Sequence, residues 1–435
     1  MRRSILIALV LASMITTAMP LAAQEEPITV EQTEQATPIE MRTSQIVDLL
    51  NSELTEPLPD IFTDEMMAAV SPAQLEALAE QYSGQFGRAL EIESMSRPDG
   101  SQSRFAIRME KAMARGTITI DPADNNRISG LFFNAFEPVN DSIEKITNDI
   151  LALPGDATVY FGPVGSDTPL ISIAPDKPMH LGSTIKLYIV AALAQDIAQG
   201  ERRWSDVVPL TSKSFPSGIL QSWPENTPMT LQSLASLMIS ISDNTATDQL
   251  LALLGPERVL KAMIDSGHSD PSLNDPIFST RDLFLLKGGD KDRMALFAKG
   301  DADLRKQILA GMVDETANPA DIEQAFSNGP IGLDIEWFAS ANDLGRLYQF
   351  MRRTADPKAF NVMAINGNLP VGAREDWAYA GYKGGSEPGV LNLTWMLTDK
   401  QGVDHLLWLS WTNPEANVEQ STLELIAQRI LALPR

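Results

Sequence analysis

The chain has 435 residues, 44% of them hydrophobic and 21% charged, a globular composition long enough for two or three domains. A formal net charge of −23 at pH 7 argues against nucleic acid or an anionic membrane surface as partner, because both select positive charge. Cysteine is absent, which excludes disulfides, thiolate metal sites, a cysteine nucleophile and lipid attachment through an N-terminal cysteine.

The first residues read as a targeting segment. Arg2 and Arg3 form a positive start, Ile5 to Leu11 is apolar, and small residues lead up to Ala23. This pattern predicts a secretory signal peptide over 1–23 and a periplasmic or secreted mature protein with no membrane span. Residues 24–37 carry four glutamates and few apolar side chains, and are expected to be a disordered leader.

From Pro38 to about residue 137 the pattern predicts a compact α+β unit. Ile46, Val47, Leu49 and Leu50 recur at helical spacing. Thr63 can cap a short helix, and Ser71-Pro72 opens another with Leu75, Leu78, Ala79 and Tyr82 on one face. Four strand-like runs follow: Ala89–Met95, Arg104–Met109, Ala112–Ile120 and Arg127–Phe133, with turns at 97–100 and 121–126. Helices followed by an antiparallel meander resemble the cone-shaped fold shared by nuclear transport factor 2 and ketosteroid isomerase. No acid or tyrosine pattern there points to isomerase chemistry, so the unit is expected to be an accessory domain.

The second unit is expected over 138–435. Ile143, Ile146 and Ile150 predict a helix, and Thr158–Phe161 and Leu170–Ile173 a hairpin closed at 162–167. A long apolar helix runs from about Lys186 to Gln199. Helices are predicted over Thr230–Ser240, Ala246–Leu254 and from Pro256. Three strands close the chain, Trp377–Lys383, Val390–Thr398 and His405–Trp411, before a helix over Thr422–Leu431. Strands at both ends with helices between predict one antiparallel sheet beside a helical insert.

The chemistry narrows by elimination. There are three histidines, no Gly-x-Ser-x-Gly elbow and no His-Glu-x-x-His spacing. A Ser-His-Asp hydrolase is poorly supplied, and neither a metal nor a cofactor is expected. A serine activated by lysine remains. Ser183 stands at a helix start and Lys186 follows three residues later, on the same face. Ser242-Asp243-Asn244 lies between two predicted helices, and Lys383-Gly384-Gly385 ends a strand near the C-terminus. Each triplet has an ordinary reading, as a helix cap or a strand end; the three in this order point to penicillin-recognising serine enzymes.

From about Ser142 to Arg435, with Ser217-Gly218-Ile219-Leu220 and Ser242 to Thr247 adding to the likeness, the chain resembles a class A β-lactamase domain. The two-unit arrangement is similar to β-lactamase-like proteins with an isomerase-like first domain, such as one associated with clavulanic acid biosynthesis. The resemblance implies a β-lactamase/transpeptidase-like α+β fold and a small β-lactam-like or peptidoglycan-type substrate. β-Lactam catabolism or antibiotic resistance is the setting it implies. It makes Ser183 the nucleophile, Lys186 its base and Ser242 the proton relay. Lys383 becomes the cation that lowers the Lys186 pKa and holds a substrate carboxylate, and Asn244 a ligand for a substrate amide. The oxyanion falls between the backbone N–H groups of Ser183 and Ser386, beside Gly385.

Two positions depart from that family. Gly384 lacks the hydroxyl used beside the lysine, which Ser386 is a candidate to supply. The glutamate and asparagine of the deacylation loop are matched only by Asp270 and Asn274, with Ser279 an alternative at the site edge. Acylation is therefore expected and fast turnover is not. A D-Ala-D-Ala peptidase, an esterase or an acyl-binding sensor would use the same machinery.

Overall fold

The computed structural model describes residues 36–434 apart from 97, 99, 140, 317, 318 and 370. The signal segment, most of the leader and part of the turn at 97–100 lie outside those residues.

The first helix, Pro38–Leu50, starts earlier than its apolar spacing suggests. Thr37, assigned to the leader, is its N-cap, and Glu40 reaches back to the Thr37 N–H at 2.7 Å, a capping box with proline at the first helical position. Ser71 and Gln74 repeat the device at the start of Pro72–Phe86. The strands Ala89–Met95, Gln102–Met109, Ala112–Asp121 and Arg127–Pro138 form an antiparallel meander in sequence order. Ile46, Leu50, Ile61, Phe62, Ile107, Ala114, Ile118 and Ile128 fill a core of their own between this sheet and the helices. The last strand runs past its predicted end at Phe133. Its extension carries Phe136, which stacks on Phe86 at 4.2 Å and on Phe133 at 5.4 Å.

In the second unit the strands from the two ends of the chain do form one sheet. Its order is Trp377–Glu387, Val390–Asp399, Asp404–Thr412, Asp156–Pro163, Ile171–Ile173, antiparallel throughout. The register pairs Asp156 with Thr412 and Pro163 with His405, so the chain ends lock into each other. Val390–Asp399 is buried almost end to end because both faces are covered. One face carries Leu393, Trp395, Leu397, Leu407 and Leu409 under the helices Ile143–Leu151 and Gln420–Leu431. The other, with Met396, Leu406 and Trp408, meets the helical lobe. This is the β-lactamase/transpeptidase-like fold.

At the centre of that lobe lies the helix Lys186–Ala198. Every residue from Lys186 to Asp196 is buried, as expected for a helix apolar nearly all round. The helices Leu231–Ser240, Asn244–Leu254, Pro256–Ser266 and Ala341–Thr354 pack around it. Between 276 and 376, which the apolar pattern left as a general helical insert, lie Thr280–Gly288, Lys291–Lys299, Ala302–Gly311 and Pro319–Ser327. Among the described residues no helix is long and apolar enough to cross a membrane.

Candidate active site

Ser183 sits in a tight helical turn, Gly182–Ile185, that feeds directly into the central helix. Gly182 adopts φ +50°, the left-handed region where glycine costs least. The turn is fixed from several sides. The Leu181 N–H donates to the Trp337 carbonyl at 2.8 Å, and the Gly182 N–H to Glu336 Oε2 at 3.0 Å. Thr184 Oγ1 donates to Asn392 Oδ1 at 2.8 Å, and so does Thr394 Oγ1.

One turn on, Lys186 is fully buried and its Nζ is the hub of the site. It lies 3.0 Å from Ser183 Oγ, 3.0 Å from Ser242 Oγ, 2.7 Å from the Ser242 carbonyl and 2.7 Å from Asn244 Oδ1. An ammonium has three protons to give, one fewer than these partners; a neutral amine can instead accept from a serine hydroxyl. Burial first, and the Lys383 charge second, push the Lys186 pKa well below the usual lysine value. Among the described residues no carboxylate lies within hydrogen-bonding distance of this amine.

The loop that presents Ser242 is pinned by its neighbour. Asp243 caps the helix Asn244–Leu254 through the Ala246 N–H at 2.8 Å. Its other oxygen accepts the N–H groups of Ile219 and Leu220 at 2.7 and 2.9 Å. The capping reading of this triplet and the chemical one are thus both used, by different residues. Ser242 itself is held at φ +58°, strained for a serine, which aims its hydroxyl at Lys186. Asn244 gives its carbonyl to Lys186 and its Nδ2 to the Phe215 carbonyl at 3.2 Å.

The strand Trp377–Glu387 closes the cleft. A side chain on Gly385 would come within 3.0 Å of Leu181 O, Ser183 N and Thr184 N, so only glycine lets the strand lie against the nucleophile turn. The Ser386 backbone N is next to Gly182, which puts the Ser183 and Ser386 N–H groups in one wall of the cavity. Lys383 is buried beside them, donates to the Gly384 carbonyl, and has its pKa pushed down to about 7 by burial. The space a side chain on Gly384 would take is held by the Tyr382 hydroxyl. The side of the strand that Gly384 leaves empty is thus filled by the tyrosine two residues earlier.

The resulting cavity of about 600 Å³ is lined by Ser183, Ser242, Asn244, Lys383, Gly385 and Ser386, all singled out in the sequence. Asp270, Asn274 and Ser279 are not among its lining residues. Asp270 is exposed and caps the short turn Pro271–Asn274 through Ser272. Asn274 is buried with both ends of its amide on the Phe338 backbone, at 2.8 and 2.9 Å. Ser279 caps Thr280–Gly288 with Asp282, and it is the next residue, Thr280, that reaches the cavity. The spacing of Asp270 and Asn274 is thus used locally, to shape a loop.

Sequence reasoning missed a buried ionic cluster behind the turn. Lys287 Nζ bonds both oxygens of Glu387, at 2.5 and 2.6 Å, with the lysine side chain wholly inaccessible. Glu336, which holds Gly182, also accepts the Trp337 N–H at 2.7 Å. Burial, then the Glu387 charge, push its pKa up to about 8, against the pull of Lys287. These residues lie far apart in the chain, and no local pattern announces them. His180 is not among the cavity-lining residues; burial and Lys287 push its pKa down to about 4, and its Nδ1 faces Thr412 Oγ1 at 3.0 Å. Among the described residues no cluster of His, Cys, Asp or Glu is arranged to hold a metal.

The fold is of the β-lactamase/transpeptidase type, and its cleft sets two serine hydroxyls against one buried lysine amine. Residues 141–329 match the model of the beta-lactamase enzyme family. A comparison with curated proteins finds no match. Among solved structures, the chain is similar to a β-lactamase from Sphaerobacter thermophilus at 19% identity and a TM-score of 0.47, covering 67% of this chain and 95% of that one. It is similar to PBP-A at 18% identity and a TM-score of 0.42, covering 66% and 94%. A PBP-A mutant in an acyl-enzyme complex with penicillin G matches at 16% identity and a TM-score of 0.45, over the same shares.

Proposed function

We propose that this is an exported serine hydrolase that forms an acyl-enzyme on Ser183 with β-lactam-like or related amide and ester substrates. The observation that carries the reading is the buried, neutral-leaning Lys186 amine held 3.0 Å from two serine hydroxyls. Lys186 takes the Ser183 proton as Oγ attacks the carbonyl. Charge on the carbonyl oxygen is met by the Ser183 and Ser386 N–H groups. The proton then travels through Ser242 to the leaving nitrogen or oxygen, the C–N or C–O bond breaks, and the acyl group remains on Ser183. Lys383 holds an anionic group of the substrate when one is present.

Release of the acyl group needs an activated water. Among the described residues no carboxylate is paired with the Lys186 amine, so we infer that the acyl-enzyme is long-lived. The same observation favours a second reading, a D-Ala-D-Ala peptidase or an acyl-binding sensor that does not need rapid hydrolysis of a lactam. Export rests on Arg2, Arg3 and the apolar run behind them; a periplasmic or secreted location follows from it. We assign the first unit an accessory role in a cone-like fold of the isomerase type.

Incubation with a fluorescent penicillin and a chromogenic cephalosporin tests this directly. The expected result is stoichiometric labelling that is lost in Ser183→Ala, with slow cephalosporin turnover. Fast turnover refutes the long-lived intermediate; labelling retained in Ser183→Ala refutes the site.

A further inference from the structure

The cavity is chemically lopsided. Beside the reacting groups stands an apolar wall of Leu283, Phe284, Phe326 and Trp337, continued by Ile239 and Ile241. The first two come from Thr280–Gly288 and the third from Pro319–Ser327, so the helical insert builds this wall. Its rings are held in place by one another. Phe284 lies 5.3 Å from Phe326 and 5.6 Å from Phe215, and Trp337 stacks on Phe278 at 4.8 Å.

Charge in the lining is sparse and mostly committed. Lys383 is the one cation among the lining residues, and Glu336 and Glu387 are its carboxyl groups, the second paired with Lys287. Such a lining disfavours a substrate with several anionic groups and leaves desolvated apolar surface as the main source of affinity. Ile241 is 43% exposed next to Ser242, so the apolar character reaches the mouth.

We propose that the acyl donor is an ester or amide whose acyl group carries an apolar arm, alkyl or aryl, seated against Leu283, Phe284, Phe326 and Trp337. This rests on the acyl-enzyme reading above and names the substrate class for it. With an ester, Ser183 Oγ forms the new bond to the acyl carbon and the alcohol departs with the proton passed through Ser242. Water later restores Ser183 and frees the carboxylic acid.

The test is Ser183-dependent p-nitrophenol release from p-nitrophenyl acetate, butyrate, hexanoate, octanoate and phenylacetate, taken as the burst when turnover is slow and as kcat/KM when it is fast, either of which reads acylation. The expected second-order rate constant climbs by about three- to fourfold per added methylene until the wall is filled, the worth of burying each group. Phe284→Ala and Phe326→Ala should each reduce that slope by half or more, and two variants guard against one failing to fold. A flat series in which acetate still acylates Ser183 overturns the inference and leaves the acyl-enzyme reading intact. A slope untouched in both variants overturns the wall assignment. Penicillin labelling of Ser183 with no release from any ester also overturns the inference alone. No release and no labelling overturn the acyl-enzyme reading itself.

Discussion

Replacing Lys287 by methionine removes the only counter-charge bonded to Glu387 while keeping the volume of the side chain. Lys287 is inaccessible and the Glu387 side chain is 8% exposed, so the carboxylate left behind has no solvent to turn to. Breaking a buried pair in this way costs about 3–5 kcal/mol. Replacing both partners, Lys287→Met with Glu387→Leu, leaves no orphan charge and should cost within about 1 kcal/mol or even stabilise. The penalty has a pH signature. Glu336 already has its folded pKa raised from 4.5 to about 8, and Lys287 lowers both it and Glu387. A carboxyl with a raised folded pKa binds more protons folded than unfolded, so its contribution declines as pH rises from about 4.5 toward 8. Without Lys287 both pKa values rise further, and the cost of Lys287→Met should be larger at pH 8 than at pH 5. Urea unfolding of wild type, both single variants and the double variant at the two pH values measures this. A single-variant cost below about 1 kcal/mol at pH 8, an equal cost at both pH values, or a double variant as costly as the summed singles would refute the reasoning.

Gly385→Ala should slow penicillin labelling by at least about 100-fold with a smaller loss of stability, because its methyl meets the backbone of the nucleophile turn and a displacement of even an ångström there is expensive; stopped-flow labelling reads it. Lys383 loses its proton as pH passes about 7, so kcat/KM for a carboxylate-bearing penicillin should fall through that pH relative to a neutral ester, a ratio that follows the free-enzyme pKa. Asp243→Ala removes a helix cap and two further backbone acceptor bonds, and should cost about 2–4 kcal/mol by urea unfolding while slowing acylation. Asp270→Ala should change acylation and turnover by less than about twofold, since an exposed cap residue outside the cavity contributes only local loop stability; a large loss of turnover would restore it as a deacylation residue.

What could be read from the sequence was what is local. Ser183 and Lys186 meet because three residues is nearly one helical turn, and the last two strands are nearly continuous apolar runs of strand length. Ser242, Asn244 and Lys383 were legible only as a set, since each alone has a common structural use. Asp270 and Asn274 show the limit of local patterns: their spacing serves a loop, through Ser272 and Phe338, and says nothing about which way the loop faces. Lys287, Glu336 and Glu387 were invisible because packing alone unites them. The tyrosine over Gly384 is an intermediate case. Alternation puts 382 and 384 on one strand face, yet only the folded strand shows the phenol filling the glycine's empty side.

The wiring of Lys186 bears on when the protein becomes reactive. In an unfolded chain Ser183 is an ordinary alcohol and Lys186 an ordinary solvated ammonium, and neither attacks an acyl group. The amine loses its affinity for protons only after the central helix is enclosed and the Trp377–Glu387 strand, about 200 residues downstream, has brought Lys383 in behind it. That closure spans nearly the whole second unit and is among the long-range contacts slowest to form. If Ser183 is acylated as proposed, covalent labelling would report completed folding: a nascent, truncated or locally opened chain would stay chemically silent, and the fraction of molecules that take the label would count those in which the Trp377–Glu387 strand is in place.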